Sequence, residues 1–271
     1  MRRRKFKGML KYFDIIGDIA IIDIKEEYKS LNRRIVEEIL STNKHVKVVL
    51  EKASPISGRY RIFKVKWLGG EKRFITIYRE HGCIFKVDFR KVFFTPRLSG
   101  ERLRIAEKVK TGEVIINMFS GIGTYSIIIA KKSNPKIIYS IDLNPAAYEL
   151  MKENIRINRV ENIVIPILGD AKEIVNERLQ SIADRVLMPL PALALKYLPY
   201  ALKALRNGVG IIHVYDFVKV EKGEKPESKM KKLYLGRLET LNSKSKILLV
   251  KKVGEVGPRK YRMALDIKVE G

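Results

Sequence analysis

The stretch that decides the fold runs from Val114 to Tyr125 and reads VIINMFSGIGTY. Its apolar first half predicts a buried strand, and its second half is a glycine-containing turn that leads into a helix over Ser126 to Lys132. Gly121 and Gly123 let a ligand approach the backbone at the start of that helix, where N–H groups point outward. The dinucleotide fingerprint G-x-G-x-x-G is incomplete, because Ser126 stands in place of its third glycine. A nicotinamide-dependent enzyme is therefore disfavoured.

Short apolar stretches alternate with helical stretches after Pro96. They read VIINMF, KIIYSID, IVIPIL, RVLMPL and GIIHVYDF. Alternation of this kind predicts a doubly wound parallel sheet. The second stretch ends in Asp142, about twenty residues after the glycine turn, where a carboxylate can accept hydrogen bonds from a ribose diol. A helix N-cap is the alternative reading of Asp142, and Asp170 follows the third stretch in the same way.

The first hundred residues have a different organisation. Strand, helix and strand are predicted in turn over Asp18 to Ile24, Tyr28 to Leu40 and His45 to Leu50. From Arg59 to Phe94 apolar and polar residues alternate, with glycines at the turns, which predicts an antiparallel sheet. We therefore predict an α/β protein in which a small α+β domain over residues 1–100 precedes a Rossmann-like catalytic domain over residues 101–271.

The charge balance is strongly basic. Lys and Arg number 55 against 30 Asp and Glu, and the net charge of +25 is spread along the chain. Nucleic acid is the partner that this excess favours, with a solvated basic surface as the alternative. Cys83 is the only cysteine and the three histidines are scattered, so we expect no disulfide and no metal site. We find no apolar signal segment and no membrane-spanning stretch, and expect a soluble, cytoplasmic monomer.

Four motifs together resemble the archaeal and eukaryotic-type tRNA (guanine37-N1)-methyltransferase family. They are FFTPRLSGERLRIAEKV, NMFSGIGTYSI, IDLNPAAYELMKENIRIN and ADRVLMPLP, and they occur in the family's order. Near the C-terminus, VGPRKYRMALDIKV resembles the family's last hairpin. The wyosine-pathway aminocarboxypropyl transferases, a sister family, share this combination. The resemblance implies a class I enzyme that uses S-adenosylmethionine and binds tRNA.

The resemblance also implies catalytic roles for two residues. Glu101 of SGER corresponds to the proposed general base for the guanine N1 proton, and Arg61 of GRYR corresponds to the arginine that stabilises charge on O6. Guanine N1 keeps its proton at neutral pH, so a carboxylate is needed to remove it, and a cation stabilises the resulting charge. Without the resemblance, Glu101 is an acid that favours a helix start, and Arg61 is an exposed strand residue.

The remaining site residues are expected at the strand ends and in the linker. Cofactor contacts are expected at Phe119, Gly121, Gly123, Tyr125, Asp142, Asn144, Asp170, Ala171 and Pro189. Substrate contacts are expected at Arg97, Arg102, Pro191 and Arg259, with Arg97 holding either the base carboxylate or a phosphate. Tyr125 is also the aromatic residue that we expect to stack on a base flipped out of the anticodon loop.

One departure from the family concerns the segment after the fourth strand of the second domain. Methyltransferases of the family commonly have N-L-P there, whereas this chain has Met188-Pro189-Leu190-Pro191 and lacks the side-chain amide. The leading expectation is methylation of N1 of guanosine 37 in tRNA. The alternatives are methylation of a wyosine precursor, aminocarboxypropyl transfer to it, and a non-catalytic RNA-binding protein.

Overall fold

A computed structural model of the chain describes residues 8–191 and 193–271. The chain divides into two compact units, Met1–Ser99 and Gly100–Gly271. Among the helices of the described residues, none combines the length and the apolarity that crossing a membrane requires.

The N-terminal unit is built on a four-stranded sheet in the order β1-β2-β3-β4. The strands are β1 (Leu10–Ile16), β2 (Ile19–Ile24), β3 (Val48–Lys52) and β4 (Val65–Gly70). Strands β2 and β3 are parallel because helix α1 (Asn32–Thr42) connects them, burying Ile35, Val36 and Ile39 against the sheet. The predicted helix therefore begins later than expected, since a 3₁₀ helix occupies Glu26–Leu31.

A separate hairpin of β5 (Ile75–Glu80) and β6 (Cys83–Asp88) follows. His81 and Gly82 both have positive φ, 50° and 79°, as a two-residue hairpin turn requires. The single antiparallel sheet predicted from Arg59 to Phe94 is therefore wrong. Strand β4 joins the first sheet, and residues 58–61 form a turn inside the bridge between Ser57 and Ile62, so this stretch is not a strand.

The C-terminal unit contains a seven-stranded sheet in the order β12-β13-β11-β10-β7-β8-β9. Its strands are β7 (Val114–Asn117), β8 (Ile137–Asp142), β9 (Val164–Leu168), β10 (Arg185–Met188), β11 (Val209–Lys219), β12 (Ser245–Gly257) and β13 (Lys260–Glu270). Strands β7 to β11 are parallel, and β12 and β13 form an antiparallel hairpin that pairs with β11. This confirms the predicted α/β fold with a Rossmann-like domain.

Six α-helices of the described residues accompany this sheet. They are α2 (Ser99–Lys108), α3 (Thr124–Lys132), α4 (Pro145–Asn158), α5 (Ala171–Arg178), α6 (Ala194–Ala204) and α7 (Pro226–Thr240). Strands β7 and β10 are buried along their whole length, which explains why their sequences are apolar apart from Asn117 and Arg185. The strand order reverses at β7, which lies between β10 and β8, and the crevice at the carboxyl ends of these strands is where such sheets bind ligands.

Candidate active site in the C-terminal unit

The glycine turn after β7 leaves open space in front of one of its two glycines. Gly121 and Gly123 have φ values of 55° and 87°, in the left-handed region that glycine adopts without strain. A Cβ added to Gly121 would meet no heavy atom within 4 Å, whereas one on Gly123 would lie 3.0 Å from Cγ of Met151. A ligand can therefore approach the backbone at Gly121, while Gly123 is needed for the turn and for packing under α3.

Asp142, at the end of β8, holds the glycine turn in place. Its carboxylate accepts hydrogen bonds from the backbone N–H of Gly121 at 2.6 Å and of Asn144 at 2.9 Å. Burial raises the pKa of Asp142, against the lowering effect of these N–H groups. The cap of α4 is Asn144, which accepts from the N–H of Ala146, so the helix-cap alternative for Asp142 is wrong. The backbone N–H of Leu143 also bonds to this carboxylate, which leaves one lone pair that a ribose diol can use.

Asp170, which follows β9, caps α5 and pairs with an aromatic residue that sequence analysis missed. It accepts from the N–H of Lys172 at 2.9 Å, and the hydroxyl of Tyr197 lies 3.0 Å from each of its oxygens. The ring of Tyr197 meets Phe119 edge to face, with centroids 5.1 Å apart. Burial first, and then the Asp170 carboxylate, raise the pKa of Tyr197 to about 12, so it stays a donor. An aromatic wall beside an acid suits a purine ring with an exocyclic amine.

Glu101 lies in the first turn of α2, and its buried carboxylate has a partner at each oxygen. Its Oε2 accepts from Nε of Arg104 at 2.8 Å and from the hydroxyl of Tyr215 at 3.0 Å. Its Oε1 accepts from Nζ of Lys251 at 2.9 Å. Burial alone would raise the pKa of Glu101, but Lys251, Arg104 and Tyr215 together outweigh burial and hold the pKa below its usual value. The group is therefore ionised at neutral pH, as a proton acceptor must be.

Behind Glu101, Arg104 is itself anchored by a second carboxylate. Its Nη1 and Nη2 donate to the two oxygens of Asp266, on β13, at 2.7 and 3.2 Å. Burial would raise the pKa of Asp266, but hydrogen bonds from His213 and Arg104 hold it far below its usual range. The guanidinium is thus fixed at both ends between two ionised carboxylates.

The chain of buried partners continues beyond Asp266. Nδ1 of His213 lies 2.7 Å from Oδ1 of Asp266, and Nε2 of the same ring lies 2.6 Å from Nη1 of Arg185. Because Arg185 can only donate, Nε2 of His213 is the acceptor and Nδ1 carries the proton. Arg185 in turn donates to both oxygens of Glu113, at 2.7 and 2.8 Å. Burial lowers the pKa of His213, so the ring is neutral.

Tyr125 is buried, in contrast to the stacking role predicted for it. Only 4% of the residue is exposed, and its ring packs against Tyr215 with centroids 5.7 Å apart, so no open face remains for a base. Its hydroxyl has no hydrogen-bond partner within the described part of the chain. Burial raises the pKa of Tyr125 to about 12. The hydroxyl is therefore protonated at neutral pH and shielded from solvent beside Tyr215.

The other predicted residues of this unit occupy different environments. Ala171 and Arg102 are buried, at 3% and 2% exposure, and Pro189 and Pro191 are half-buried after β10. Arg259 lies on the exposed turn between β12 and β13 with φ of 56°, and its Nη1 is 3.4 Å from Glu221. The structure brings the cofactor candidates to the carboxyl ends of β7 to β10.

Two predicted residues lie in the N-terminal unit. Arg97 donates to both oxygens of Asp14 at 3.0 to 3.2 Å, and its guanidinium lies 4.7 Å from the ring centroid of Tyr12. Its carboxylate partner is therefore Asp14, and Arg97 is not among the described partners of Glu101. Arg61 lies in the turn after Gly58, half-buried, with φ of 55°.

The fold and the site together define a class I methyltransferase: a doubly wound sheet, an open glycine turn after its first strand, and acids after the next two strands. Comparison with known families agrees. Residues 76–240 match the TRM5/TYW2 methyltransferase domain, and residues 4–73 match the TYW2 N-terminal domain. The chain belongs to the TRM5/TYW2 methyltransferase family.

Relatives of this chain include enzymes with different acceptors. It is 43% identical to the tRNA 4-demethylwyosine(37)-methyltransferase Taw21 of Saccharolobus solfataricus, covering 95% of this chain and 94% of that protein. It is 39% identical to the tRNA (guanine(37)-N(1))-methyltransferase Trm5b of Pyrococcus abyssi, over 95% of this chain and 74% of the relative. It is 34% identical to the tRNA(Phe) (4-demethylwyosine(37)-C(7)) aminocarboxypropyltransferase of Methanocaldococcus jannaschii, over 94% and 96%.

Solved structures with the same fold carry tRNA and cofactor. The complex of aTrm5 and tRNALeu superposes with a TM-score of 0.84 at 35% identity, covering 99% of this chain and 75% of that one. M. jannaschii TYW2 in complex with AdoMet has a TM-score of 0.68 at 30% identity, covering 96% and 99%. S-adenosylmethionine is the cofactor of the family. The Asp142 carboxylate suits its ribose diol, and the wall of Phe119 and Tyr197 suits its purine ring. The open turn at Gly121 leaves room for it to approach the backbone.

Proposed function

We propose that this chain transfers a methyl group from S-adenosylmethionine to N1 of guanosine 37 in tRNA. The observation that carries the proposal is the ionised, buried carboxylate of Glu101, which is held in a methyltransferase domain by Arg104 and Tyr215. The relatives named above support nucleotide 37 of tRNA as the target, since each is named for that position. The net charge of +25 supports a polyanionic substrate.

The reaction needs a proton acceptor that this site can supply. S-adenosylmethionine supplies an electrophilic methyl group whose C–S bond breaks toward sulfur as the new N1–C bond forms. The N1 proton passes to the carboxylate of Glu101, so the methylated guanine and the sulfur product are both neutral afterwards. Arg104 and Tyr215 hold Oε2 and orient the carboxylate. Arg61 is the residue proposed to stabilise charge on O6.

Methylation of 4-demethylwyosine at the same position is the second candidate. Two observations favour it: the 43% identity to Taw21, and Pro189 in the place where guanine-methylating relatives commonly have asparagine. A tricyclic base presents a different edge from guanine, so a pocket without the side-chain amide is compatible with it. This candidate uses the same cofactor turn at Gly121 and the same carboxylate.

The deciding experiment offers the protein two otherwise identical tRNAs, one with guanosine and one with 4-demethylwyosine at position 37. Nucleoside mass spectrometry then gives the acceptor and the group transferred. Methylation of guanosine 37 at N1 supports the proposal, and methylation of the tricyclic base alone supports the second candidate.

Two further outcomes would overturn both candidates. Transfer of the aminocarboxypropyl group, seen as a larger mass increment, would place the chain with the sister enzymes. Absence of any transfer to position 37 together with absence of S-adenosylmethionine binding by calorimetry would indicate a non-catalytic RNA-binding protein.

A further inference from the structure

The two oxygens of the Glu101 carboxylate have partners of different kinds. Oε2 is bonded by Arg104 and Tyr215, whose side chains lie inside the unit. Oε1 is bonded by Lys251, and within residues 8–191 and 193–271 no other side chain bonds to that oxygen. One oxygen is thus anchored in the interior and the other faces a single lysine.

The anchored partners cannot leave without breaking other buried interactions. Arg104 is 16% exposed and is bonded at its far end to Asp266, and Tyr215 is 1% exposed. Lys251, in contrast, extends from β12, at the edge of the sheet, and its side chain is 49% exposed. The ammonium end of this pair can move into solvent without breaking another described interaction. Lys251 is therefore the partner that an incoming group can displace.

We propose that the acceptor base displaces Lys251 from Oε1 and that the ammonium then donates a hydrogen bond to the oxygen beside the reacting nitrogen, O6 of guanine. This inference rests on the function proposed above. In guanine the N1–H donor and the O6 acceptor are adjacent. A carboxylate oxygen next to an ammonium, 2.9 Å apart here, offers the complementary acceptor and donor.

The pair also discriminates between purines. Adenine carries an acceptor at N1 and an amine at position 6, so it would set a lone pair against Oε1 and a donor against the ammonium. Buried groups left unpaired in this way are strongly unfavourable, which is how a polar site rejects the wrong base. The Glu101–Lys251 pair thus selects the 6-keto edge.

Displacement of Lys251 also changes the Glu101 carboxylate, the catalytic base. Lys251 is one of the cations that lower the pKa of Glu101, so its departure makes the carboxylate a stronger proton acceptor. Arg104 and Tyr215 stay bonded to Oε2, so the carboxylate keeps its position. As the N1 proton leaves, charge develops on O6, where the ammonium of Lys251 adds to the stabilisation proposed for Arg61.

The test compares Lys251→Met and Lys251→Arg with the control Lys252→Met. Lys252 is the next residue of the same strand and carries the same charge, but its ammonium lies 3.9 Å from the ring centroid of Tyr261. We expect Lys251→Met to slow single-turnover methyl transfer by about a hundredfold, with partial recovery in Lys251→Arg. Lys252→Met should stay within about threefold of wild type.

A second readout separates this role from general loss of positive charge. Without Lys251 the pKa of Glu101 in the free enzyme rises, so the acid limb of the pH profile of kcat/KM should move to higher pH in Lys251→Met only. Cofactor affinity should be unchanged. Equal rates and pH profiles in Lys251→Met and Lys252→Met would overturn the inference. A wild-type protein that binds the cofactor but methylates no base at position 37 would instead overturn the proposed function.

Discussion

Arg104 donates two hydrogen bonds to Asp266, at 2.7 and 3.2 Å, although 162 positions of sequence separate them. The same guanidinium bonds to Glu101 through Nε, so the last strand of the sheet fixes the candidate base through one intermediate side chain. Asp266 is therefore a positioning residue, and the effect of removing its charge can be foreseen.

We expect Asp266→Asn to lower the methyl-transfer rate about tenfold with little change in cofactor affinity, because Arg104 loses its anchor. Breaking one side of a buried ion pair costs about 3–5 kcal/mol, so thermal unfolding should occur at lower temperature. The folded pKa of Asp266 is depressed, so its stabilisation is present above the unfolded value of about 3.9 and is lost as pH falls below it. The variant should therefore show a flatter loss of stability in acid. An unchanged melting curve and rate would contradict this account.

Glu101→Gln tests the base itself. The amide preserves shape but cannot accept the N1 proton, so tRNA and cofactor should still bind while the rate falls by about a hundredfold to ten-thousandfold. Raising pH should partly restore activity, because solvent then removes the N1 proton more readily. Single-turnover rates between neutral and alkaline pH measure both effects. A loss of less than about fivefold would argue against Glu101 as the base.

Asp142→Ala addresses cofactor binding. The substitution removes the acceptor of the Gly121 and Asn144 N–H groups, so the glycine turn loses its support and a ribose loses its carboxylate. We expect S-adenosylmethionine affinity measured by calorimetry to fall by about tenfold or more. Tyr197→Phe is a milder companion, which removes only the hydroxyl that bonds Asp170. Wild-type affinity in Asp142→Ala would place the cofactor elsewhere.

The charge of the chain predicts a steep effect of salt on tRNA binding. A protein that neutralises several phosphates releases their counterions, so log affinity should fall linearly with log salt. S-adenosylmethionine binding provides the internal comparison, because a small ligand without phosphates should respond little. A flat salt dependence for tRNA would remove nucleic acid as the reason for the basic composition.

The sheet of the C-terminal unit could be predicted because its central strands are largely buried and therefore read as short, mostly apolar runs. Strand β1 was not predicted, since LKYFDII carries a basic and an acidic residue and is only partly buried. The stretch from Arg59 to Phe94 alternates as a sheet does, but alternation does not say which strands pair. Strand β4 pairs with β3, and β5 pairs with β6.

The cofactor side of the site followed from the sequence because parallel strands end at one edge, which brings Gly121, Asp142 and Asp170 together. The partners of Glu101 could not be predicted from the sequence, since Tyr215 and Lys251 lie 114 and 150 positions away along the chain. A signal was nevertheless present: His213 and Asp266 interrupt the buried apolar strands GIIHVYDF and MALDIKV. A polar residue inside such a strand requires a buried partner.

The position of β13 between β11 and β12 has a consequence for synthesis on the ribosome. A nascent chain that has emerged as far as α6 already contains Gly121, Asp142, Asp170 and Tyr197, the parts of the cofactor pocket. Arg104 is also present by then, but Lys251 and Asp266 come later, because they lie on the last two strands. A product that terminates before β12 would hold every cofactor residue yet lack Lys251 and Asp266, so Oε1 of Glu101 would have no lysine and Arg104 would have no anchor. Truncation near the 3′ end of the message therefore leaves the cofactor residues in place but removes two side chains that surround and position the candidate base.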